Sequence, residues 1–201
     1  MLGVSVLGQT FLGDLTPRDE AFTRWYPGLQ FTLGFDSRRV LSPTLNFSLA
    51  DFVAQDRTLG PVDGRQPNRL ARTQYFSTDI RLAFRLLKNR RVQPYAAAGI
   101  GFLVFNVRDE TGRALLNAAS TRAQGESYSN VAAYLPLAVG VQWRISQVIS
   151  TAFEVAWVQS FSDYLDNVNR LGNRSGPDAL FQTRLALQFT LPAPMQRSRL
   201  N

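Results

Sequence analysis

Between positions 179 and 191 the chain reads ALFQTRLALQFTL, and alternate residues fall into two unlike sets. Phe181, Thr183, Leu185, Leu187, Phe189 and Leu191 make one, and Gln182, Arg184, Ala186, Gln188 and Thr190 make the other. Residues 76–86 repeat the pattern, with Phe76, Thr78, Ile80, Leu82, Phe84 and Leu86 opposite Ser77, Asp79, Arg81, Ala83 and Arg85. A period of two is the mark of a β-strand with two different faces. A helix carrying charges at every second position would keep no continuous apolar face.

The same test predicts eight strands, at 2–13, 25–36, 41–54, 74–87, 92–107, 133–145, 148–161 and 179–191. They are long for strands of a water-soluble sheet, which average about 5–6 residues, and long enough for a tilted membrane strand of about 9–11. The connections alternate. Residues 37–40, 88–91 and 146–147 are short, whereas 14–24, 55–73, 108–132 and 162–178 are long and polar. This is the pattern of an outer-membrane barrel with short periplasmic turns and long extracellular loops. Aromatic residues near both strand ends (Trp25, Tyr26, Tyr75, Phe76, Tyr134 and Phe181 on the long-loop side, Phe35, Phe84, Trp143 and Phe189 on the other) suggest two interfacial girdles.

The most apolar stretch, VQPYAAAGIGFLVF at 92–105, is too short for a membrane helix of about 20 residues and is interrupted by Pro94, Gly99 and Gly101. A dinucleotide-binding loop would need glycine at Val104 and a helix after it. As strand five it places Pro94, Ala96, Ala98, Ile100, Phe102 and Val104 outward and Tyr95, Ala97, Gly99 and Gly101 inward. The glycines would then make room for Arg81 and Arg85. A soluble ligand-binding barrel would turn its apolar face inward. Here the polar face carries Gln30, Ser42, Thr44, Asn46, Ser48, Gln142, Glu154 and Gln188, which suits a narrow interior better than a solvated surface. The fold expected is therefore all-β: an eight-stranded antiparallel up-and-down transmembrane barrel over 1–192, with a tail at 193–201. Both termini would be periplasmic and the outer face would meet outer-membrane lipid. The first dozen residues alternate like a strand and lack the charged start and cleavage site of a signal peptide.

Composition narrows the chemistry. The chain has no histidine and no cysteine, which removes the common general base, thiol nucleophiles and the usual transition-metal ligands. No catalytic residue, metal site or cofactor is expected, and no small-molecule substrate. The net charge of +7 rests on arginine, Lys88 being the only lysine. These arginines are spread along the chain without a recognition motif, so nucleic acid is not an expected partner.

Three clusters remain. Asp79, Arg81, Arg85, Glu154 and Arg184 fall on the inward face and are expected to form a salt-bridge network, with Glu154 beside an inward arginine. Arg38, Arg39, Lys88, Arg90, Arg91 and Arg144 gather on the short turns, with Arg197 and Arg199 in the tail. They suit lipid phosphates or an acidic periplasmic or outer-membrane protein partner. In FSDYLDNVNR, Asp163, Asp166 and Asn167 suggest calcium, but their spacing does not match a calcium loop, which leaves a structured loop at the outer rim.

Three motifs carry a family resemblance: FLGDL at 11–15, QPYAAAGIGF at 93–102 and FSDYLDNV at 161–168. Together they resemble the small outer-membrane barrels of the Bacteroidota that include PorG of the type 9 secretion and gliding machinery. The second motif is shared with relatives of OmpA and OmpW. The resemblance implies a non-enzymatic barrel acting as an anchor or accessory subunit of an envelope assembly. The alternative is a stand-alone structural or adhesin-like barrel acting through its outer loops.

Overall fold

The computed structural model describes residues 1–17, 20–34, 40–61, 64–87, 90–172 and 176–191. Eight strands run in order: β1 (Leu2–Leu12), β2 (Tyr26–Gly34), β3 (Leu41–Gln55), β4 (Leu70–Arg85), β5 (Val92–Arg108), β6 (Val131–Arg144), β7 (Ile149–Ser160) and β8 (Ala179–Phe189). Each pairs antiparallel with the next, and β8 pairs with β1 from Leu2↔Phe189 to Leu12↔Ala179, closing the barrel. Closure leaves no unpaired sheet edge. We call the end where β1 starts and β8 finishes the near end, and the opposite one the far end.

β4 begins at Leu70 rather than at 74, because Leu70–Thr73 pair with Phe52–Gln55 of β3. The outward Arg72 interrupts the apolar face there, which is why alternation alone lost the strand. β6 likewise starts at Val131.

The outward face is a belt of exposed Leu, Val, Ile and Phe. Ile80, Ile100, Val139 and Leu185 are each 59–62% exposed, far beyond what a water-soluble surface leaves contiguous. Trp25 stands near the far end, edge-on to Phe181, with Phe22 also against that ring. Phe84, Trp143 and Phe189 stand outward toward the near end. Phe35 lies outside the described residues. Tyr75 and Tyr134 do not join the girdle, because both point into the barrel and are buried. In Tyr75-Phe76 only one ring can face out, and the hydroxyl takes the side where it finds a partner.

The interior changes character along its length. Toward the near end and in the middle it is polar, and a row of alanines, Ala83↔Ala97↔Ala138↔Ala156, keeps four adjacent strands thin. Small residues on one wall leave room for long ones from the other. A Cβ on Gly99 would stand 2.2 Å from the Ile80 carbonyl oxygen and 2.9 Å from Arg81 Cγ. One on Gly101 would stand 2.7 Å from the Tyr134 ring, so the second occupant of that space is Tyr134 and not Arg85. Toward the far end the interior becomes apolar. Phe11 and Phe52 stack at 4.3 Å, and Leu103, Phe105 and Leu180 join them beneath Leu15, Leu165, Val168 and Leu171 of the connecting segments.

Candidate functional site

β4 supplies Asp79 and Arg81 as consecutive inward residues, and β7 and β8 supply Glu154 and Arg184, which are register partners. Arg81 grips Asp79 with two nitrogens, Nε to Oδ1 at 2.7 Å and Nη2 to Oδ2 at 2.8 Å, the forked geometry that suits guanidinium to carboxylate. Its third nitrogen, Nη1, donates to Glu154 Oε1 at 3.1 Å. Arg184 Nη1 donates to the same oxygen. Two acids and two arginines thus form one chain across the lumen. Burying them is tolerable only with every charge paired.

Neutral groups complete the set. Asn46 Nδ2 and Tyr134 Oη donate to Asp79 at 2.7 and 2.8 Å, and Tyr95 Oη donates to Glu154 at 2.8 Å. Above this layer, Gln9, Tyr75 and Gln182 bond one another, and Arg184 Nη2 donates to Gln182. Arg85 lies a layer nearer the near end, donating to Ser42 Oγ at 2.6 Å and Gln142 Oε1 at 3.3 Å. A cavity in this interior, bounded by Arg81, Arg85, Glu154 and Arg184 among others, measures about 50 Å³. That is close to the share of one or two water molecules, not of a solute path.

FSDYLDNV forms the lid. Leu165, Asp166, Asn167 and Val168 are buried. Asn167 has a φ of 69°, a left-handed conformation that asparagine tolerates better than most residues. Its Nδ2 donates to Asn68 Oδ1 and Thr121 Oγ1, and its Oδ1 accepts from Tyr128 Oη at 3.1 Å. Asp166 accepts from the backbone N–H groups of Leu15 and Val168, and Asp178 accepts from that of Leu165. Burial pushes the Asp166 carboxyl up to about 8, with Asp14 and Asp163 adding repulsion. Burial also raises Asp178, reinforced by Asp166. Among the described residues no group of three or more acidic side chains is placed to hold a metal ion.

At the near end Arg90 and Arg91 are exposed and Arg144 is half-buried, its N–H donating to the Arg91 carbonyl. Arg38, Arg39, Lys88, Arg197 and Arg199 lie outside the described residues. Sequence reasoning missed Asn46, Tyr95 and Tyr134 as partners of the lumenal charges. Their placement on inward positions beside Asp79 and Glu154 was the available signal.

No family model and no curated protein matches this sequence. Solved structures do resemble it. The crystal structure of Neisserial surface protein A (NspA) is 8% identical, covering 94% of this chain and 96% of that one, with a TM-score of 0.59. Ail, the attachment invasion locus protein of Yersinia pestis, in complex with the heparin analogue sucrose octasulfate, is 12% identical over 94% of this chain and 95% of that one, with a TM-score of 0.52. At such identities the likeness carries the fold and nothing for the narrower PorG-containing group. The chain has the closed eight-stranded antiparallel fold of small outer-membrane β-barrels.

Proposed function

We propose that this chain is a sealed, non-enzymatic outer-membrane barrel that serves as an anchor or accessory subunit of a cell-envelope assembly. The observation that carries this reading is the filled lumen: Asp79, Arg81, Glu154 and Arg184 are bonded to one another, Arg85 is bonded to Ser42 and Gln142, and an apolar lid packs over them. A barrel with no interior path does its work on its surfaces. The apolar belt is the surface for lipid, and the two ends are those available to proteins.

In this reading the near end, with its short connections, faces the periplasm, and the segment 193–201 follows the barrel there as a tail. Arg90, Arg91 and Arg144, with Arg38, Arg39 and Lys88, form the docking face for an acidic partner. An assembly of the PorG kind is one instance of such a role, and the motifs at 11–15, 93–102 and 161–168 are its support. The lumenal set Asp79, Arg81, Arg85, Glu154 and Arg184 has the role of a structural plug. Crosslinking followed by affinity capture from native membranes tests the docking face. Arg90→Glu with Arg91→Glu is expected to abolish co-capture of a periplasmic protein while the barrel still inserts and folds. Unchanged capture would refute the docking face. Partners captured only through residues 109–130 or 161–178 would favour the adhesin-like alternative, in keeping with the fold shared with Ail, the attachment invasion locus protein.

A further inference from the structure

The outward wall of β3, β4 and β5 is graded toward the far end. Leu49, Phe76 and Val104 are register partners and form the last apolar row. Asp51, Gln74 and Asn106 form a polar row above them, and Val53, Arg72 and Arg108 the row above that. Arg72 and Arg108 are therefore two guanidinium-bearing residues directly opposite each other on adjacent antiparallel strands, both exposed. Like charges so placed are destabilising unless an anion lies between them. Neither side chain has an ion pair or hydrogen bond among the described residues, and the same holds for exposed Arg57 nearby. The carboxylate next in the chain, Asp109, is committed to its own turn, accepting from Thr111 N, Thr111 Oγ1 and Arg113 N.

Two hollows in this wall match the grading. The upper, about 640 Å³, is lined by Arg57, Arg72 and Arg108 together with Asp109 and Glu110. The lower, about 990 Å³, is lined by outward Leu29, Leu49, Phe76 and Val104, reaches inward Tyr75, Phe105 and Val107 between the strands, and is bounded by Leu116 and Tyr128 of the β5–β6 connection. Gln74 lines both. A basic hollow directly above an apolar one, on the outer wall of a barrel, has the shape and polarity of an amphiphile with an anionic head.

We infer that this wall is a binding site for a phosphorylated membrane lipid, whose phosphate is gripped between Arg72 and Arg108 and whose acyl chain lies in the hollow over Phe76 and Val104. The inference rests on the membrane-embedded reading above. Guanidinium forks offer parallel N–H donors that suit phosphate oxygens. Bridging the pair also removes their mutual repulsion, so the lipid is worth more to the folded barrel than a headgroup on an isolated arginine.

The experiment uses the full chain folded into zwitterionic vesicles, with retention of a diphosphorylated glycolipid measured by native mass spectrometry. Arg72→Gln with Arg108→Gln is expected to weaken retention about 10- to 30-fold. Phe76→Ala is expected to weaken it by a smaller factor, and the same lipid without its phosphates should be retained no better than bulk lipid. Heat-modifiable migration on gels checks that each variant folds. Equal retention by the double variant, or by the dephosphorylated lipid, would overturn the inference. So would sucrose octasulfate displacing the lipid fully while Phe76→Ala has no effect, since that outcome describes a site for soluble polyanions. A chain that fails to insert even into zwitterionic vesicles would refute the membrane reading itself, which is a separate result.

Discussion

Asp79 and Asp166 are both buried carboxylates, one midway along the barrel and the other in the lid at its far end. Asp79 receives Arg81, Asn46 and Tyr134. The Asp166 carboxylate receives, among the described residues, the backbone N–H groups of Leu15 and Val168, and has Asp14, Asp163 and Asp178 for electrostatic neighbours. The first set balances its charge with arginine, and the second lowers its charge by holding protons. Stiff strands can aim long arginines at fixed targets across a lumen. Folded-back connections offer many orphan amides instead, and a short aspartate meets two of them. The lid is thus a part of the molecule whose charge changes over ordinary pH.

The largest expected effect tests the middle. Glu154→Gln leaves Arg81 and Arg184 facing each other with one carboxylate fewer, and should cost about 3–5 kcal/mol of unfolding free energy, measured by urea titration of the refolded barrel. Adding Arg184→Gln should restore much of that loss, since the Asp79–Arg81 pair survives intact. No recovery would mean that the network is not held together by charge balance. Tyr134→Phe removes one donor to a charged acceptor and should cost about 1.5–3 kcal/mol by the same measurement.

The lid should respond to pH in the opposite sense from an ordinary salt bridge. The folded carboxyl of Asp166, at about 8, lies above its ordinary value of 3.8, so the folded lid binds a proton more tightly than the unfolded one. Its stabilisation is complete below about pH 4 and is lost as pH rises through about 8. Amide hydrogen exchange across 161–172 should therefore quicken between pH 6 and 9, after correction for intrinsic rates. Asp166→Asn should flatten that dependence. A lid that tightens as pH rises would refute the assignment. The smallest effect belongs to the exposed pair Arg24–Glu20 at 2.6 Å, where Glu20→Gln should change stability by less than about 1 kcal/mol.

Much of the barrel can be read from alternation, because where one face meets an apolar surrounding a register slip would expose every charge at once. That holds for residues 76–86 and 179–191, where Asp79, Arg81 and Arg184 mark the inward face. It fails toward the far end. There Phe11, Phe52, Leu103 and Phe105 face inward against a lid, and apolar residues on both faces cancel the alternation. Tyr75 and Tyr134 misled for a related reason: a tyrosine near a strand end suits an interface as well as a lumen, and only its partner decides. Asp166 and Asn167 were legible as a structured loop, but their burial depends on Asn68, Thr121 and Leu15, which are remote in the chain. Arg72 and Arg108 become partners only once β4 is known to begin at Leu70.

The seam between β1 and β8 has a consequence for how the molecule comes into being. Leu2 finds its partner in Phe189, so the first strand made must wait for the last before its outer edge is paired. Such distant pairing is slow. Until it occurs, β1 presents a bare row of backbone donors and acceptors beside an apolar face, which is a template for association with any exposed strand. The edge of β1 is therefore open to misassociation until β8 covers it. Deleting residues 179–189 should leave that edge bare, and folding into vesicles should then give aggregates in place of a heat-modifiable monomer.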